Sequence, residues 1–203
     1  VYSDAQRINI VDTLAPEITV EYTANDCVPH FVDSSLNDVD TFAAASTAYF
    51  NKNVVAKVNI NEANFFEGVT IKEEEETITV HQLGVLLTKT DDNGNVSRIE
   101  YKTTGTENYF ADVDETVIID WQDQGDNHSF TIAYDENADY VLQIEYCDRS
   151  NNFAKYKFEQ SKDNGTVDES IGKYLSKVVT VDKTKPVINV EYSNKDTVGR
   201  VYD

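Results

Sequence analysis

Carboxylates are the reactive groups this chain has in excess: 37 acids stand against 17 bases, for a formal net charge of -20. Clusters of Asp, Glu and Asn oxygens suit a hard cation such as calcium. Asp12, Asp148 and Asn151 form the candidate calcium set, because the segments that carry them fall toward one end of a strand-built body. The alternative is simple turn chemistry, since Asp and Asn favour loops without any metal. Glu73 to Glu76 is the densest acidic run, but like charges in a row ordinarily form a solvated turn or strand end. Asp91 to Asn95 lacks the distal Glu of a calcium loop and is explained by a hairpin turn. With so many acids, carboxylate pairs spaced for glycoside hydrolysis arise by chance.

The other reactive residues form no catalytic constellation. His30, His81 and His128 stand far apart and in no ligand spacing. G-x-S-x-G, H-E-x-x-H and G-x-x-x-x-G-K-[ST] are absent, so no enzyme is expected. Cys27 and Cys147 are the only cysteines. They make either one disulfide closing a very long loop or two separate thiols, and sequence alone does not bring their Cα atoms within reach. Lys57 could serve an isopeptide crosslink, but the alternation of its neighbours turns it outward. Trp121 reads as a packing residue of its strand rather than a ligand anchor. Tyr101, Tyr109 and Phe110, with Phe42, Tyr49 and Phe50, form the candidate contact patch, since aromatic residues concentrate at binding hot spots. The alternative is that each added segment packs a small satellite core. The acidic surface repels phosphate backbones and anionic bilayers, so nucleic acid and membrane partners are excluded.

The elements that position these residues are strands. Val54, Ala56, Val58 and Ile60 alternate with polar neighbours, as do Tyr140, Leu142, Ile144 and Tyr146. Asp91-Asp92-Asn93-Gly94-Asn95 and Asp163-Asn164-Gly165 supply the positive φ angles of tight turns. Many short strands with turns between them predict an all-β antiparallel sandwich carrying an inserted hairpin. Asp38 to Asn51, rich in alanine, predicts a short helix capped by Asp38 or Asp40.

The chain also repeats itself. Val11-Asp12-Thr13-Leu14-Ala15-Pro16-Glu17-Ile18-Thr19-Val20-Glu21-Tyr22 returns as Val181-Asp182-Lys183-Thr184-Lys185-Pro186-Val187-Ile188-Asn189-Val190-Glu191-Tyr192, 170 positions later. Such a match marks a module boundary seen twice. Residues 1–12 then end one module, 13–185 form the whole one, and 186–203 begin the next.

These residues carry a resemblance. V-D-x-x-x-P-x-I-x-V-E-Y resembles the linker and first strand of bacterial Ig-like repeats in large cell-wall-anchored proteins of gut Firmicutes. Tyr49 to Lys52 with Val54 to Ile60, Glu62-Ala63-Asn64-Phe65, Trp121 with Gly125 to Ile132, Ala138-Asp139-Tyr140, and Tyr146 to Asn152 resemble further elements of that family, in order. The resemblance implies an Ig-like sandwich. A plain Ig-like module has roughly 100 residues, so the added length is assigned to about 29–47, 77–118 and 159–174. Cys147 and Asn151 stand where the family has Thr and Gly, and the odd Cys implies a disulfide to Cys27.

The resemblance also implies an extracellular, cell-wall-anchored setting and a non-catalytic role. The expected role is adhesion through the inserted loops to a host glycoprotein or immunoglobulin, beside adjacent modules of the same chain. A structural spacer repeat and a glycan-binding accessory module of a secreted enzyme are the alternatives. No cofactor is expected unless calcium joins the junction oxygens.

Overall fold

Alternation of apolar and polar side chains becomes strand after strand in the computed structural model, which describes residues 12–42, 44–66, 68–73, 76–81, 83–157 and 173–190. In chain order these are β1 (Glu17–Thr23), β2 (His30–Val32), β3 (Asp38–Val39), β4 (Thr47–Phe50), β5 (Val54–Asn61), β6 (Gly68–Glu73), β7 (Glu76–His81) and β8 (Leu83–Asp91). They continue as β9 (Val96–Lys102), β10 (Glu115–Ile118), β11 (Gln122–Gln124), β12 (Asn127–Tyr134), β13 (Ala138–Tyr146), β14 (Lys155–Lys157), β15 (Lys173–Leu175) and β16 (Val178–Val181). The described residues contain no helix, so none is long and apolar enough to cross a membrane.

Two mixed sheets make the body. One runs β11-β12-β5-β1-β14; the other runs β10-β9-β8-β13-β16-β4-β2-β3, with β15 also beside β13. β6 and β7 form a separate hairpin. Most pairs are antiparallel, but β14 lies parallel to β1, β10 to β9, and β4 to β16.

The core lies between the sheets. Val54, Ala56, Val58 and Ile60 of β5 are fully buried, and so are Leu142 and Ile144 of β13. Burying one such side chain contributes roughly 1.5–3 kcal/mol, and period-two alternation sends a full row of them inward. Aromatic rings bridge the sheets: Tyr134 of β12 stacks on Tyr140 of β13 at 4.4 Å, and Tyr156 of β14 on Tyr174 of β15 at 5.4 Å. The buried hydroxyls of Tyr22, Tyr134 and Tyr174 turn toward one another and toward Ser176. Burial pushes each of the three phenols above its ordinary pKa.

Strand register defines two ends. Glu17, Asn61 and Asn127 align at the entry end, where β1 begins and β13 finishes. Thr23, Val55 and Ala133 align toward the exit end, where Ala138 pairs with Val181 at the finish of β16. A three-residue turn joins β12 to β13 there. The Tyr140 hydroxyl closes this corner, donating to the Glu136 carbonyl at 3.1 Å and accepting from its backbone N–H at 3.1 Å.

Three expectations are corrected. The helix over Asp38 to Asn51 is instead β3, a turn and β4. Ala48 and Phe50 alternate inward, and β4 pairs along β16, so tertiary pairing overrides the helix preference of alanine. The expected addition over 77–118 includes β8, whose Val85 and Leu87 are core residues paired to β13. Finally, Cys27 and Cys147 are free. Cys27 follows β1 at the exit end, whereas Cys147 follows β13 at the entry end. The nine residues of β13 separate those ends by roughly 27 Å, far beyond the reach of a disulfide. The expected addition over 159–174 lies outside the described residues except for the start of β15. Residues 1–11 and 191–203 also lie outside them. Residues 186–190 carry no strand.

Thiol titration of the unfolded, non-reduced protein is therefore expected to count two free cysteines. A reductant should leave the melting temperature unchanged; a drop of several degrees would mean that the ends are linked.

Candidate functional site

Two constructions stand out, one at the entry end and one on the outer face of the larger sheet. At the entry end the chain turns after β5 through Glu62-Ala63-Asn64-Phe65. Glu62 is nearly buried, and its carboxylate Oε1 accepts the Asn64 backbone N–H at 2.7 Å. The Asn64 side chain donates to Asp12 Oδ2 at 2.9 Å. After β13, Asp148 is fully buried and accepts the backbone N–H groups of Ser150 and Asn152 at 2.7 and 2.8 Å. The Asn152 amide bridges, donating to Asp148 Oδ2 at 2.7 Å and to the Asp12 carbonyl at 3.1 Å.

Carboxylate oxygens of Asp12, Glu62 and Asp148 thus lie within 4.8 Å of one another. Desolvation, followed by the nearby charges of Asp12, Asp148 and Asp126, holds Glu62 above its ordinary pKa. Three hard oxygen donors at this spacing match the donor type of calcium, and crowded carboxylates repel without a cation.

Asp12 and Asp148 of the expected set are therefore together. Asn151 is exposed at φ +62°, the left-handed position of the turn, with its backbone N–H on the Asp148 carbonyl. Its place among the polar partners is taken by Asn152. Asn tolerates a left-handed position better than most residues, so Asn151 is explained by turn chemistry. Glu62 escaped the sequence reading, although it stood in view as the first residue of the E-x-N-F turn.

The aromatic set is dispersed. Phe42 and Phe50 are core residues, 3% and 4% exposed, so neither can serve as a contact surface in the folded chain. Tyr49 faces outward at 37% exposure beside His30, and Tyr101 is half-buried on β9. Desolvation raises Tyr101 to about 12, with the Glu115 charge second.

Tyr109 and Phe110 belong to the loop between β9 and its parallel neighbour β10. Glu100, 1% exposed on β9, accepts their successive backbone N–H groups at 2.7 and 3.2 Å, one on each carboxylate oxygen. The Tyr109 ring lies over Gly84, where an added Cβ would meet it at 2.5 Å. Its hydroxyl donates to Glu145 at 3.1 Å, and burial, followed by that carboxylate's charge, lifts the phenol to about 12. Lys102 Nζ donates to the Thr106 carbonyl and Asn108 Oδ1, and Trp121 Nε1 to Thr103 Oγ1 at 3.1 Å. The loop is pinned at nearly every turn.

The histidines act locally. His30 pairs with Asp38 at 2.8 Å; His128 pairs with Asp123 at 2.8 Å and stacks on Phe65 at 4.2 Å. His81 lies on β7. Trp121 packs edge-on against Phe65 and Phe130, as a core-side residue should. Lys57 faces outward into a polar groove of about 520 Å³ on the smaller sheet, among Asn59, Asn61, Gln122, Gln124 and Asn127. Among the described residues no aromatic ring lines this groove.

The chain matches no protein-family model, no curated protein and no solved structure.

Two outcomes follow. In chelator at pH 7, Glu62→Gln should raise the melting temperature, because ionised Glu62 is penalised in the folded state. A raised folded pKa means that this penalty is full above it. The gain should shrink as pH falls through that pKa and be absent below the free-glutamate value of about 4.3. A melting temperature that rises with millimolar calcium in the parent and not in Glu62→Gln would identify a cation site; parallel curves would identify a carboxylate cluster alone. Separately, Gly84→Ala should displace Tyr109 and cost about 1–3 kcal/mol in denaturant unfolding, with faster hydrogen exchange at the Tyr109 and Phe110 amides.

Proposed function

We propose that this chain is a non-catalytic, Ig-like module of a tandem array on a bacterial cell surface, which uses the pinned loop between β9 and β10 to contact a host protein. One observation carries the tandem part. The two copies of the repeated segment leave from opposite ends of the sandwich: Asp12 precedes β1 at the entry end, and Asp182 follows β16 at the exit end. Modules stacked end to end need this geometry.

Strand order supports the Ig-like reading. An Ig domain pairs A-B-E-D in one sheet and C-F-G in the other. Here β1-β5-β12-β11 and β8-β13-β16 follow the same order and sequence succession, with β9 in the place of an added C′ strand. The hydroxyl of Tyr140, on the counterpart of strand F, bonds back to Glu136 as in a tyrosine corner. Together with the sequence resemblance, this favours the cell-wall-anchored, extracellular setting expected of such repeats.

The loop's support for recognition is its rigidity. Buried Glu100 and the ring of Tyr109 hold it in one conformation, leaving Glu107 and Asn108 exposed and Phe110 half-exposed. A contact surface ordered beforehand loses less entropy on binding. The host partner in this reading is a glycoprotein or an immunoglobulin. A spacer role is the second reading, favoured by the same end-to-end geometry. The glycan-binding reading is weaker, because the polar groove has no ring on which a sugar can stack.

Immobilised chain incubated with mucus, serum or secretory antibody, followed by mass spectrometry, should retain one host protein. The double change Glu107→Ala, Phe110→Ala, which leaves the Lys102–Asn108 bond in place, should weaken that capture at least tenfold with an unchanged melting temperature. Undiminished capture removes the loop from the interface; no capture from any secretion leaves the spacer.

A further inference from the structure

Asp12 and Asp182 hold the same place in the repeated segment and fold alike. Asp12 Oδ1 accepts the Leu14 N–H at 3.0 Å, and Asp182 Oδ1 accepts the Thr184 N–H at 2.8 Å. They are gripped from opposite directions. The Asp182 backbone N–H donates to the Phe50 carbonyl at 2.9 Å, continuing the pairing of β16 with β4. Beyond it, the Lys183 N–H donates to Asn137 Oδ1, Lys183 Nζ reaches Asn53 Oδ1 and the Asp135 carbonyl, and the Asn137 amide donates to Thr184 Oγ1 at 2.7 Å. Asp12 Oδ2 instead accepts from the Asn64 amide and its carbonyl from the Asn152 amide, and the Pro16 carbonyl accepts the Lys155 N–H at 2.7 Å.

The two sets of bonds use different atoms. The N–H serves the sandwich behind; Oδ2 and the carbonyl serve the sandwich ahead; Oδ1 serves the local turn in both. One aspartate can therefore make all of them at once.

We propose that consecutive modules share this aspartate, and that it clamps them into a rigid joint. The partner surface is the entry end of a second copy, with its Asn64 and Asn152, docked on the exit end built by Asn53, Asp135 and Asn137. The inference rests on the tandem reading and adds to it a fixed joint in place of a flexible linker. From Asp182 to Pro186 the chain spans at most about 14 Å. Lys183 and Thr184 within that span are tied to the module behind, and Pro16, the counterpart of Pro186, is tied to the module ahead. Among the described residues, Lys185 is the one member of the span with no bond on either side, which is too little chain for a hinge.

The test joins residues 1–185 of one copy directly to 16–203 of a second, so that Asp182 stands where Asp12 would in the second copy. Small-angle X-ray scattering should fit one extended conformer with nearly twice the length of the single chain. A six-residue Gly-Ser insertion after Lys185 should lose the single-conformer fit. Asn64→Ala with Asn152→Ala in the second copy should lose it too, whereas the same pair in the first copy, away from the joint, should keep it. Thermal melts of each variant separate a loosened joint from an unfolded module: loss of the fit with both transitions intact supports the clamp. A parent fusion as flexible as the Gly-Ser form, or equal effects of the Asn pair in both copies, overturns it. Host capture by the single chain is scored apart. A rigid joint without capture removes recognition and keeps the clamp; capture with a flexible joint does the reverse.

Discussion

Val54, Ala56, Val58 and Ile60 on β5 face the same core as Tyr140, Leu142, Ile144 and Tyr146 on β13, and none of the eight is more than 2% exposed. This opposed alternation is the constraint on which both ends of the sandwich depend. A slip of one residue in β5 would bury Lys57 and Asn59; a slip in β13 would bury Gln143 and Glu145. Each outcome takes a full row of apolar side chains out of the core, so one register is selected. Once it is, the positions just past the strands are fixed as well. Glu62 is the residue after β5, and Asp148 stands two beyond β13. Their meeting with Asp12 follows from strand pairing and needs no separate device.

Buried charge is used differently at the two constructions. Glu100 has two backbone donors, one for each oxygen, and hydrogen bonds to a charged group contribute about 1.5–3 kcal/mol each. Those donors come from the loop itself, so the cost of burying Glu100 is offset only when the loop lies in place. The glutamate thereby couples loop order to the fold of β9. At the entry end, by contrast, three carboxylates crowd together, and their hydrogen bonds come from Asn64, Ser150 and Asn152. Burial strips Glu62 of water and the neighbouring carboxylates repel its charge, more than the Asn64 N–H offsets, which is why Glu62 stays reluctant to ionise.

Much of this was legible in the sequence where one physical signal dominated. The alternation at Val54 to Ile60 and Tyr140 to Tyr146 announces strands directly, and Asn93-Gly94 announces its turn, with Gly94 at φ +81°. Asp12 and Asp148 were legible as a pair because one precedes a strand that begins, and the other follows a strand that finishes, at the same end. Signals failed where tertiary contacts compete with local ones. The alanines before Tyr49 favour a helix, yet Ala48 is small enough to sit fully buried where β4 packs beside β16. Phe42 and Phe50 read as surface aromatics only while their neighbours were unknown. The cysteines mislead for a topological reason: the strands that precede them run so that Cys27 and Cys147 emerge at opposite ends, a fact no spacing of two residues encodes. Asn152 was masked by Asn151, since adjacent identical residues divide a turn role from a bridging role only in three dimensions.

The crowding at the entry end bears on why the shared aspartate is a sound clamp. Of the three acids, Asp148 and Glu62 are buried within the module, whereas Asp12 arrives from the segment before β1. Its arrival adds a negative charge beside two others, which by itself opposes docking. Two amides oppose that repulsion: Asn64 on Oδ2 and Asn152 on the carbonyl. Repulsion that acts only at close approach, with bonds that form only in one geometry, narrows the range of acceptable joint angles. A pair of apolar surfaces would slide, since apolar contact has no direction. Directional bonds to a single aspartate do not, and that is the property a stack of many sandwiches requires if small angular errors are not to accumulate along its length.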